Sequence, residues 1–100
     1  MFTWLNKQGV RSARGFEVQF TGRFDAEYRE GERIVSLQVE AGLSGGLQCI
    51  IVDPAAFERW DGDPAGTNLP EDQQVQMFQN LREAMEFQGL KLVIEKAEST

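Results

Sequence analysis

The chain reads as an α+β fold: one domain with a mostly antiparallel sheet of about five strands, one long and one short helix covering one face. Three observations lead there. Apolar and polar residues alternate through residues 16–41, as in strands with one buried and one wet face. Apolar residues then recur at helical spacing from Val75 to Met85. Strands come first, helices late, and one strand closes the chain, an order that suits an antiparallel sheet better than a doubly wound parallel one.

The elements follow in order. Residues 1–10 read as an N-terminal segment. Phe16, Val18 and Phe20 alternate with Glu17 and Gln19 before Gly22 breaks the pattern. Phe24, Ala26 and Tyr28, then Val35, Leu37, Val39 and Ala41, form two further alternating runs joined at Glu30-Gly31-Glu32, which predicts a hairpin. Gly42-Leu43-Ser44-Gly45-Gly46 reads as a glycine-rich loop, and the apolar end of Leu47–Val52 as a central strand covered on both faces. Asp53 before Pro54 suits a helix start, so Pro54–Trp60 reads as the short helix. Asp61-Gly62-Asp63-Pro64-Ala65-Gly66 is turn chemistry, and Asn68 three residues before Glu71 resembles a capping box opening the long helix. Gly89 is placed as its C-terminal cap, Leu90, Leu92 and Ile94 mark a last strand, and residues 96–100 read as a frayed tail.

Composition narrows the function. With 100 residues, 41% of them hydrophobic and 26% charged, the chain fits one globular domain. No apolar run reaches the roughly 20 residues of a bilayer span, and the first residues lack a signal-peptide pattern, so a cytoplasmic protein without membrane contact is expected. A single cysteine and no histidine exclude an internal disulfide and remove the commonest zinc ligand and neutral-pH proton shuttle. No enzyme, metal or cofactor is expected.

The formal charge of −6 is uneven. Residues 1–15 hold Lys7, Arg11 and Arg14 and no acid, whereas residues 53–72 hold six acids against Arg59 alone. Such a field disfavours nucleic acid and favours basic partners.

Motifs with catalytic or metal-binding associations have weak contexts. Gly42-Leu43-Ser44-Gly45-Gly46 matches the nucleophile elbow G-x-S-x-G, but a strand rather than a helix follows it and no histidine base exists. Asp61, Asp63, Gly66 and Asp72 fall at positions 1, 3, 6 and 12 of a calcium loop with Thr67 at the carbonyl position, yet Ala65 cannot ligate and Pro64 and Pro70 stiffen the stretch. A capped turn is the simpler reading. Cys49 reads as core packing. Trp4 and Trp60 are large enough to anchor a partner, although aromatics also fill small cores. Trp60, beside an acidic turn, is the better anchor, with Glu58, Asp61, Asp63 and Asp72 as its acidic rim.

The string Ile51-Val52-Asp53-Pro54, then Phe57-Glu58-Arg59-Trp60, Pro64 and Leu69-Pro70-Glu71-Asp72, followed by the amphipathic helix and Gly89–Glu95, resembles immunity protein family 74 of bacterial polymorphic toxin systems. Arg14-Gly15-Phe16 and Tyr28-Arg29-Glu30-Gly31 fit the strand openings of that family. The resemblance implies a small α+β protein that neutralises a cognate protein toxin by binding it, without catalysis or cofactor. The acidic segment suits a basic, nuclease-like toxin domain. The alternative is a structural module with no toxin partner that forms a homodimer through an exposed sheet edge.

Overall fold

The computed structural model describes residues 1–63 and 68–95. Its order is β1 (Phe2–Asn6), β2 (Gly9–Ser12), β3 (Phe16–Phe20), β4 (Asp25–Glu30), β5 (Arg33–Ser44), β6 (Leu47–Val52), α1 (Glu71–Phe87) and β7 (Lys91–Ile94). The seven strands form one sheet in chain order. Every pairing is antiparallel except β6 with β7, which is parallel. The α+β expectation is therefore corrected: the fold is predominantly β, a curled mixed half-barrel with a single helix, 46% strand and 19% helix among the described residues.

Two segments account for most of the difference. The first ten residues contribute a hairpin rather than a loose segment. Trp4 pairs with Val10, and the Asn6 side chain accepts the Gln8 N–H at 2.8 Å to tighten the turn. The predicted short helix over Pro54–Trp60 is instead a run of turns. Asp53 accepts the Ala55 N–H through its side chain at 2.7 Å and the Ala56 N–H through its carbonyl at 3.0 Å. Longer-range bonds then fix the segment, from Leu69 N–H to the Glu58 carbonyl at 2.7 Å and from Asp61 N–H to the Ile34 carbonyl at 2.8 Å. These partners, together with the burial of Phe57 and Trp60, hold the stretch in a shape that an i→i−4 ladder would not allow.

Smaller differences have equally local causes. The glycine-rich loop shrinks to a two-residue turn, because β5 runs on through Gly42 to Ser44; Gly45 and Gly46 both take positive φ, as a tight hairpin of this length requires. The capping box does not form: α1 starts after Pro70 with no side-chain cap, and Glu71 and Asp72 place negative charge at the positive end of the helix dipole. Its other end matches expectation. Gly89 at φ +80 lets its own N–H reach the Glu86 carbonyl and the Leu90 N–H reach the Met85 carbonyl, both near 3 Å. Residues 64–67, on which part of the expected turn falls, and residues 96–100, expected to fray, lie outside the described residues.

The helix bridges parallel β6 and β7 and lies on the buried face of the sheet, touching β7 and, across the curl, β2 and β3. Val10, Val18, Tyr28, Val35, Leu37 and Val52 from the sheet meet Met77, Leu81, Ala84 and Met85 from α1, with Phe57 and Trp60 joining from the loop.

Candidate functional site

β5 creates the surface of interest because it is longer than its neighbours. Of its twelve residues, β4 pairs with Arg33 to Gln38 and β6 with Val39 to Ser44, on the opposite side. The strand thus changes neighbours at its midpoint. In an antiparallel ladder, successive residues direct their backbone groups to alternate sides. Ile34 and Ser36 point away from β4, and Asp61 covers them: its N–H bonds the Ile34 carbonyl, and its carboxylate accepts the Ser36 N–H at 3.0 Å and the Ser36 hydroxyl. Val39 points toward the β4 side, where its N–H reaches the Phe24 carbonyl at 2.9 Å. The same alternation aims Ala41 and Leu43 to that side, beyond the start of β4 at Asp25. Both are exposed.

A hollow of about 720 Å³ opens at this midpoint, with Phe24, Val39, Ala41, Ile51 and Val52 as apolar lining. Asp25, Glu40, Asp53 and Glu95 stand around it. A second hollow shares Asp25, Gln38 and Asp53 and adds Glu27, which is paired with Arg29 at 3.2 Å. No lysine or arginine lines either hollow among the described residues. Phe24 is 56% exposed, with the Arg23 guanidinium 5.6 Å from its ring centre.

The residues singled out by sequence fall in several roles. Trp60 is only 4% exposed, stacked on Tyr28 at 6.3 Å with the Arg33 guanidinium 5.9 Å from its ring. It ties the 53–63 segment to the core. Asp61 is engaged with Ser36, and the Asp63 N–H closes a turn to the Trp60 carbonyl at 3.2 Å. Glu58 is partly exposed, and Asp72 is exposed in the first turn of α1. From the acidic stretch, Asp53 alone reaches the hollow. Of the calcium-loop pattern, Gly66 and Thr67 lie outside the described residues, and no group of three potential ligands gathers among the described ones. Cys49 is buried, set by register between Gly42 and Lys91. Sequence reasoning missed Asp25, Glu40 and Glu95, which lie far apart along the chain; their signal is the alternation that puts Glu40 on the wet face of β5.

Tyr28 lies at the centre of a buried polar network: its hydroxyl donates to Glu30 at 2.8 Å and accepts from Asn80 at 2.9 Å. The Asn80 carbonyl oxygen accepts from Gln76 and Arg14, and Arg14 also pairs with Glu83 at 2.8 Å. Burial, above all, pushes the Tyr28 phenol well above its ordinary pKa, with Asn80 opposing and Glu30 adding to the rise. A phenol held this firmly neutral suits packing, not proton transfer. At the sheet edge, Trp4 (49% exposed) and Phe87 (42% exposed) lie 5.6 Å apart, with Phe2 5.3 Å from Phe87.

No described helix is long and apolar enough to cross a membrane. No protein-family profile, curated protein or solved structure matches the chain.

Proposed function

We propose that this chain is a non-catalytic binding protein that neutralises a cognate basic protein toxin by holding it against an acidic surface. The observation that carries the reading is the hollow at the β5 midpoint, where Asp25, Glu40, Asp53 and Glu95 surround apolar lining without a base among the described residues. Charge of one sign around an apolar floor speeds encounter with an oppositely charged partner and rejects like-charged ones. The sequence resemblance to immunity protein family 74 supplies the toxin; the acidic surface supplies the sign of its charge. Affinity capture of the tagged chain from its source cells, read by mass spectrometry, tests it. Recovery of one stoichiometric basic protein, lost on Asp25→Lys with Glu40→Lys, is expected. A folded bait that returns only itself would contradict it.

A second reading, a self-associating module with no toxin, is favoured by one observation: the exposed Trp4 and Phe87 beside the outer strand β1. Light scattering across a concentration series separates the two, since this reading requires a dimer in the absence of any partner.

A further inference from the structure

We infer that the free half-edge of β5 takes an extended, arginine-bearing segment of the partner protein as an added strand, lying alongside Val39 to Leu43 in line with β4. The inference rests on the proposed binding of a basic protein and specifies how the contact is made. Three features converge. β4 begins opposite Gln38, so among the described residues the second half of β5 has β6 on one side and no strand on the other. Backbone alternation directs the Ala41 and Leu43 N–H and C=O groups into that space, the pattern that strand addition uses. Asp25 at the start of β4 and Glu40 on β5 stand beside the space, Asp53 and Glu95 line the same hollow from the β6 and β7 side, and none of the four forms an ion pair among the described residues.

Charge selects the occupant. A second copy paired over the same stretch would set each Glu40 opposite Gly42 and bring the two Glu40 side chains diagonally together on one face, and like charges so placed across strands are unfavourable. A segment with arginine at alternate positions instead places its cations on the wet face with Glu40, and its intervening apolar residues on the opposite face with Ala41. Exposed Leu43 offers the intervening apolar residues a contact at the far end. Arg23, already over Phe24, is a cation near this approach, so its removal should improve binding.

The probe is an acetylated, amidated Arg-Val-Arg-Val-Arg peptide, titrated into the isotopically labelled chain and followed by amide shifts and hydrogen exchange. Saturation should slow exchange at Ala41 and Leu43 about tenfold, because both amides then bond the new strand. Glu40→Gln with Asp25→Asn should weaken binding about fivefold, Arg23→Gln should strengthen it, and a citrulline peptide should fail. Ala41→Pro removes one outward N–H without touching a β5–β6 bond, and should abolish the protection at Leu43. A peptide N-methylated at the bonding positions should do the same to the intact chain. Shifts around the hollow without protection at Ala41 and Leu43 would overturn strand addition and leave the acidic-surface reading in place. No shifts at millimolar peptide would overturn both.

Discussion

Two openings of the sheet, at β1 and along the second half of β5, are furnished in opposite ways. β1 carries no charged residue from Phe2 to Asn6, and its register slips between Trp4 and Asn6. Such an irregularity bends an edge away from regular pairing. Its exposed aromatics are partly satisfied by one another, through Phe2, Trp4 and Phe87. The β5 half-edge keeps regular register with β6 to its end and has the carboxylates of Asp25 and Glu40 beside it instead. Geometry blunts one edge and charge guards the other. A guard made of charge admits the opposite sign, which is why the β5 edge, and not the more apolar β1, is assigned to a basic partner.

The largest effect should come from removing what covers the other side of β5. Trp60→Ala empties a buried site and loosens the segment that carries Asp61 onto Ile34 and Ser36, so a loss of about 3–5 kcal/mol is expected in urea unfolding. The equivalent change at β1, Trp4→Ala, removes a half-exposed ring and should cost under about 1 kcal/mol. Similar losses at the two positions would mean that β1 is part of the core and not an edge. Between these lies Tyr28→Phe, which leaves Asn80 without its hydroxyl acceptor at a cost of about 1–2 kcal/mol.

The phenol also makes a pH prediction. Tyr28 is the only tyrosine, and its pKa is raised in the fold, so the unfolded chain releases the proton first. Its contribution to stability is therefore complete below about pH 10, the ordinary tyrosine value, and is lost as pH rises beyond it. Tyrosinate absorbance should stay flat past the ordinary range in folded protein and rise normally in denaturant. A normal titration in the folded state would refute the buried network. A similarly small effect, about 1 kcal/mol, is expected at Asp61→Ala, since its bonds to Ser36 are exposed to water.

How much was legible follows from the range of the forces involved. β3 to β5 announce themselves through alternation and through Gly31 at the hairpin, and α1 through its apolar stripe and Gly89, because neighbours in sequence fix these features. β1 and β2 were hidden since Phe2 and Trp4 alternate only twice and Asn6-Lys7-Gln8-Gly9 carries no standard turn pair. Phe57 and Trp60 at i, i+3 look helical, but Ile34 and Leu69, distant in sequence, decide that segment. The acidic character of residues 53–72 was visible, yet only Asp53 joins the hollow, because Asp25, Glu40 and Glu95 arrive from three other strands or their ends. The free edge was illegible in principle: it depends on β5 outrunning β4, a difference in length that appears only when both strands are paired.

The most direct measurement compares two charge reversals against the same fluorescent Arg-Val-Arg-Val-Arg peptide: Asp25→Lys with Glu40→Lys, and Glu58→Lys with Asp72→Lys. Both raise the net charge by the same amount, so bulk electrostatics treats them alike. Loss of binding for the first pair with near-normal affinity for the second is the expected result. Equal weakening by both would show that the peptide responds to overall charge, and would contradict a specific site at the β5 edge.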